Sequence, residues 1–221
     1  SAVRRGTKVG DNVVVQAPVY NIFYNSIINN GRHVLSSDLA YDDTEHQYHI
    51  DYADLEQKLA DPLSTMMILC NPHNPIGKVW TRDQLIKINQ LCLKHHVTLL
   101  SDEIHGDLVF QGNDYTPVFS LPSELIQNVI VCVSPSKTFN VAALHAATVI
   151  IPNEDLRNKV SRGINTDELG EPNLLAIPGT IAAYTQGHQW VHELSQQITN
   201  NVMLLATFCK HSIPTVALCP G

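Results

Sequence analysis

Three apolar runs in this chain each stop at a cluster of polar side chains. Residues 65–70 (Thr65-Met66-Met67-Ile68-Leu69-Cys70) lead into Asn71-Pro72-His73-Asn74-Pro75-Ile76-Gly77. Residues 97–100 lead into Ser101-Asp102-Glu103-Ile104-His105, and residues 129–133 into Ser134-Pro135-Ser136-Lys137-Thr138-Phe139-Asn140. Short runs of this kind, rich in β-branched residues, predict buried strands. Similar strands are predicted at 13–16, stopped by Pro18, at 33–35, and at 146–151, stopped by Pro152, since proline brings no donor to a ladder. Helical spacing lies between them. It predicts a helix over 22–30 that ends at Gly31, and one over 51–59 with an acidic first turn. Thr81-x-x-Gln84 is a capping box, and the helix it opens runs to about His95 with Leu85, Ile88, Leu91 and Cys92 on its apolar face. Beyond residue 151 the pattern predicts helices near 154–163, 173–186 and 189–211, then a new strand at 215–218.

Strand and helix alternate through residue 151, which is the pattern of parallel crossover units. The expected fold is α/β, three layers with helices on both faces of a mostly parallel sheet. In such sheets ligands bind just beyond the carboxyl ends of the strands. Three strand ends supplying Asn, Asp, His, Ser and one Lys therefore describe a single polar site with an amine in it. The expected boundary lies near residue 188. Residues 1–188 form a large domain, and 189–221 a connecting helix and the first strand of a smaller C-terminal α+β domain. The opening at Ser1-Ala2-Val3 and the ending at Cys219-Pro220-Gly221 read as a piece of a longer protein.

Composition narrows the partners. The chain of 221 residues is 44% hydrophobic and 16% charged, with a formal net charge of −7. That balance supports a globular core and argues against a nucleic-acid or anionic-membrane partner, either of which would want a basic face. Five scattered cysteines without a Cys-x-x-Cys pair read as reduced thiols of a cytoplasmic protein. His46-x-x-His49, His95-His96 and His188-x-x-x-His192 lack the order of a zinc protease helix, and no metal is expected.

The donor set suits pyridoxal 5′-phosphate. That cofactor needs a lysine for an imine, a carboxylate to keep the pyridine nitrogen protonated, donors at its 3′-oxygen, and hydroxyls around its phosphate. Lys137 would form the imine and then move the Cα proton. Asp102 would face the ring nitrogen, Asn74 and His105 the 3′-oxygen, and Ser134 and Ser136 the phosphate. In bland readings Asp102 and the two serines only cap helices, and Asn74 only makes a turn.

Taken together, the Asn71–Gly77, Ser101–His105 and Ser134–Asn140 motifs resemble the fold-type I pyridoxal-phosphate enzymes of the class I/II aminotransferase-like family. Histidine at 105, where most aminotransferases of the family carry tyrosine, is similar to the bacterial cystathionine β-lyase (C–S lyase) branch. Pro18-Val19-Tyr20-x-x-Phe23-Tyr24 resembles the stretch whose first tyrosine lies over the cofactor ring, which implies that role for Tyr20. Gly170-Glu171-Pro172-Asn173 and the helix carrying Trp190 also fit the pattern. Ala142-Ala143-Leu144 departs from the usual Ala-Gly-Leu, and His145 stands near where many relatives place another phosphate contact. The resemblance implies β-elimination of cystathionine or a related sulfur amino acid to a thiol, pyruvate and ammonia, by a cytoplasmic homodimer acting on a small amino-acid substrate. Transamination shares the early steps and stays open, as does a non-catalytic binding role. The resemblance also places the substrate-carboxylate arginine outside these 221 residues, so the piece by itself is expected to be inactive.

Overall fold

The apolar runs do lie side by side as strands. The computed structural model describes residues 1–110 and 114–218. Its elements begin with α1 (Ala2–Gly6), β1 (Asn12–Val15), α2 (Ile22–Ile28), β2 (His33–Ser36), β3 (Ala40–Asp42), β4 (Gln47–His49) and α3 (Tyr52–Leu59). They continue with β5 (Ser64–Cys70), α4 (Arg82–Lys94), β6 (Thr98–Asp102), β7 (Val129–Val133), α5 (Pro135–Thr138) and β8 (Thr148–Ile150). Three helices follow: α6 (Glu154–Thr166), α7 (Ala176–Gln186) and α8 (His188–Ser212).

Among the described residues the main sheet has the order β2-β1-β5-β6-β7-β8. Its first five strands are parallel, and β8 pairs antiparallel with β7. A parallel partner requires the chain to cross back along the whole sheet. Between β7 and β8 it makes only the single turn of α5 and a short 3-10 turn at Ala142–Leu144, so it returns at the same end.

Two apolar layers sandwich the sheet. On one face Val14, Met67, Leu69, Leu99, Val129 and Val131 pack with Leu55 and Leu59 of α3 and Leu85, Ile88 and Cys92 of α4. On the other, Val13, Val15, Met66, Ile68, Leu100 and Ile130 pack with Val3, Phe23, Ile27 and Val160 from α1, α2 and α6. Strand side chains alternate faces, so strands covered on both sides must be apolar throughout. That is why these runs are continuous. The expected capping box is present: Thr81 Oγ1 accepts from Gln84 N at 3.3 Å, and Gln84 Oε1 accepts from Thr81 N at 2.9 Å.

Two departures from expectation have physical reasons. The hairpin of β3 and β4 was not foreseen, because three-residue polar strands carry no alternation; it is held by Tyr41 facing Tyr48 with ring centroids 5.0 Å apart. The strand expected at 215–218 is not formed. The chain turns at 214–216 and runs on without a ladder, because among the described residues no strand offers backbone partners there. Cys70, Cys92 and Cys209 are buried and free, and Cys132 is free and half-buried. Cys219, and the strand tip expected there, lie outside the described residues.

Leu99 is fully buried in the centre of β6. Leu99→Ala is expected to cost about 2–5 kcal/mol, read as a lower midpoint with unchanged slope in urea unfolding.

Candidate active site

The register of three strands sets the site. Cys70 at the end of β5 pairs with Asp102 at the end of β6, and Asp102 pairs with Cys132 in β7. In-register neighbours point to the same face, so a carboxylate stands between two thiols. Burial pushes both thiols up to about 12, so they are neutral walls rather than nucleophiles. Burial also raises the Asp102 carboxyl above its ordinary range, opposed by the Ile104 N–H and aided by the charge of Glu103. Among the described residues its hydrogen-bond donor is that Ile104 N–H, at 3.2 Å. No cation pairs with it there.

The Asn71–Lys78 turn forms the second wall. Its neck is closed by Asn71 N donating to the Asp102 carbonyl (2.9 Å) and His73 N to the Lys78 carbonyl (2.7 Å). Gly77, at φ +71°, occupies a backbone region that side chains resist. Buried Trp80 donates from Nε1 to the Cys70 carbonyl at 3.0 Å and lies edge-on to His73. Asn74 N approaches Cys70 Sγ at 3.4 Å. Asn74 and His105 line one cavity of about 190 Å3, together with Pro72, Val79, Leu108 and Phe110.

Lys137 sits in the last turn of the short helix α5 and is exposed. Its charge reaches His105: burial first, then the Lys137 ammonium, lowers the imidazole below its ordinary range. Sequence reasoning set the amine near Asp102, but no ion pair joins the two among the described residues. Several contacts fix the turn that carries it. Thr138 Oγ1 donates to Asp107 at 2.9 Å, and Trp190 Nε1 of α8 donates to the Thr138 carbonyl at 3.0 Å. Phe139 packs edge-on against Tyr184 of α7. Gly187, between α7 and α8, has no side chain because a Cβ there would overlap the Phe139 ring and the Ala183 carbonyl.

Ser134 and Ser136 are adjacent but differ in freedom. The Ala146 carbonyl can only accept, so the Ser134 proton goes to it (2.6 Å). Ser136 Oγ–H, 2.7 Å away, then donates to Ser134, which also accepts from Ser136 N at 3.1 Å. A hydroxyl carries one proton, so Ser134 here caps α5, and Ser136 is the hydroxyl able to turn outward. Tyr20 lies in the segment beyond the carboxyl end of β1, 43% exposed, edge-on to Phe23 at 5.8 Å. Three residues without an assigned role also shape this edge: Glu103, Asp107 and Tyr115. Glu103 was visible beside Asp102, but no spacing connects it to Tyr115. His49 meets Asp42 and Glu45 rather than His46, with one ligand atom from each within 4.8 Å on an exposed hairpin.

A family model described as "Aminotransferase class I and II" matches residues 3–217. The chain belongs to the class I and II aminotransferase family. Within it, this chain is 44% identical to cystathionine beta-lyase PatB of Bacillus subtilis (strain 168), over 98% of its own length and 56% of that protein. It is 34% identical to Protein MalY of Escherichia coli (strain K12), covering 96% of this chain and 53% of MalY. Its structure superposes on cystalysin from Treponema denticola, which contains a pyridoxal 5′-phosphate cofactor, with a TM-score of 0.93 and 32% identity over 97% of this chain and 54% of cystalysin. The chain thus spans about half the length of the family members it matches.

One consequence of the site's packing concerns acid. His73 Nε2 lies 3.0 Å from the Pro18 carbonyl, an acceptor, so Nε2 carries the proton, and buried Nδ1 has no hydrogen-bond partner among the described residues. Burial holds this imidazole below its ordinary value of 6.5. Its contribution to stability is therefore full above pH 6.5 and is lost as pH falls through the folded value. His73→Gln should flatten the loss of stability between pH 7 and pH 5, compared by urea midpoints; an unchanged acid limb would contradict this.

Proposed function

We propose that this chain is the cofactor-binding part of a pyridoxal 5′-phosphate-dependent carbon–sulfur β-lyase. The observation that carries the reading is the half-buried carboxylate of Asp102, without a cation partner among the described residues, level with the strand ends that lead into Asn74, His105 and Lys137. A carboxylate so placed suits a cationic ring nitrogen, because attraction between opposite charges strengthens as water is excluded. The residues present therefore fit the group. When bound, the cofactor supplies an electrophilic aldehyde and an electron-withdrawing ring for chemistry at the substrate's Cα.

This chain's residues do the rest. Lys137 would hold the cofactor's aldehyde through its amine and, with that amine free, would take the proton from the substrate's Cα. Asp102 would keep the ring nitrogen protonated. Asn74 and His105 would face the ring's 3′-oxygen, and burial lowers the His105 imidazole below its ordinary range. Ser136 would donate to the phosphate, Ser134 would fix the turn that presents it, and the exposed ring of Tyr20 would lie over one face of the cofactor.

With cystathionine and water the products are homocysteine, pyruvate and ammonia. Similarity to a cystathionine beta-lyase at 44% identity, and to cystalysin in fold, supports the lyase over a transaminase. A homodimer fits the exposed apolar side chains of Leu174, Ile181, Met203, Leu204 and Phe208 on and beside α7 and α8, a face too apolar to be left to water. No described helix is long and apolar enough to cross a membrane, and the free buried thiols suit the cytoplasm.

Two measurements on the whole protein test this. Pyruvate should appear from cystathionine without any added 2-oxo acid; a strict need for one would make it a transaminase. Asp102→Asn should lower kcat/KM by at least about 100-fold. In the cofactor-free protein the Asp102 carboxyl sits above its ordinary 3.8, so its ionisation costs stability as pH rises past that value. The same substitution should therefore raise the melting temperature of the cofactor-free protein at neutral pH. A lower one would contradict the assignment.

A further inference from the structure

Next to the half-buried Asp102 lies a buried carboxylate with opposite surroundings. Glu103 is 5% exposed, and its oxygens are saturated with donors. Oε1 accepts from Ser101 Oγ at 2.9 Å, Val118 N at 3.0 Å and, at the long limit, Asn71 Nδ2 at 3.4 Å; Oε2 accepts from Tyr115 Oη in a short contact. Glu103 itself opens the loop that leaves β6; Tyr115 and Val118 lie where that loop returns to the short 3-10 turn Val118–Ser120, Ser101 is in β6, and Asn71 is in the turn after β5. Asn71 adds a tie of its own, from Nδ2 to the Thr116 carbonyl at 3.0 Å. Tyr115 reaches inward only because Gly106 has no side chain; a Cβ there would stand 2.8 Å from the Tyr115 ring. The loop so closed carries His105 and Asp107, the latter bound to Thr138 beside Lys137.

We propose that Glu103 is a positioning residue. Its carboxylate locks the two ends of the 103–118 loop together, and this lock holds His105 and the Lys137 turn at the spacing the cofactor needs. The inference rests on the cofactor reading above and deepens it. The lock works through hydrogen-bond geometry rather than charge, and that separates it from a simple electrostatic role. In Glu103→Gln the amide oxygen can keep the three donors at Oε1, and the amide nitrogen can donate to Tyr115 Oη. In Glu103→Ala the donors from Ser101, Tyr115 and Val118 lose this acceptor, while Asn71 keeps its bond to the Thr116 carbonyl.

The test is titration of the whole protein with pyridoxal 5′-phosphate, reading the dissociation constant and the position of the bound cofactor's visible band. Glu103→Ala should bind at least about tenfold more weakly and move the band, whereas Glu103→Gln should stay within about threefold with the band in place. Ile27→Ala, a fully buried change in α2 on the opposite face of the sheet from Val118, should lower the melting temperature yet move neither readout. If Glu103→Ala does not fold, Tyr115→Phe carries the test, with weaker binding and a shifted band expected. The inference is overturned if Glu103→Gln is as impaired as Glu103→Ala, or if the folded lock variant binds like the unaltered protein. Absence of any visible band in the unaltered protein would instead remove the cofactor reading, and this inference with it.

Discussion

Everything at this edge depends on β5, β6 and β7 pairing parallel and ending level. Because Cys70 and Cys132 are both register partners of Asp102, three polar segments far apart in sequence emerge from adjacent strands, each outer one a single strand spacing from β6. Parallel strands with level ends put their outgoing loops on one side, which is why open α/β sheets bind ligands there. A slip of one residue in β6 would turn Asp102 to the opposite face. The apolar residues before it, packed on both faces, oppose that slip.

Asp102 and Glu103 show how neighbouring identical groups acquire different roles. Glu103 meets donors from the sheet, from the returning loop and from the turn after β5, and is structurally spent. Asp102 sits between two thiols that remain protonated, with one backbone donor among the described residues. Its charge is the one left for a ligand to neutralise. The negative charge of Glu103 raises the proton affinity of Asp102 further, which favours a cationic partner over water.

Much of this was legible in the sequence because burial on both faces forces uninterrupted apolar runs, and the polar residues that end them are conspicuous. Strands β1, β2, β5, β6 and β7, the capping box of α4 and the length of α8 follow from such local patterns. Asn74, Asp102, His105 and Lys137 stand out in the sequence for the same reason, since each follows an apolar run; their roles belong to the proposed function. What local pattern could not carry was pairing at a distance: the antiparallel return of β8, the bond from Trp190 to the Thr138 carbonyl, and the convergence of Tyr115 on Glu103. The hydroxyl of Ser134 shows the same limit. Its motif marks it for the phosphate, but its proton is taken by the Ala146 carbonyl twelve residues on, a partner that only the fold supplies.

The central claim is that these three strand ends make one cofactor site whose reactive amine belongs to Lys137. Borohydride reduction of the whole protein with bound pyridoxal 5′-phosphate, followed by peptide mass mapping, reads that amine directly. The expected result is a pyridoxyl adduct on the peptide containing Lys137. An adduct confined to another lysine, such as Lys78 or Lys87, or no adduct at all, would contradict it.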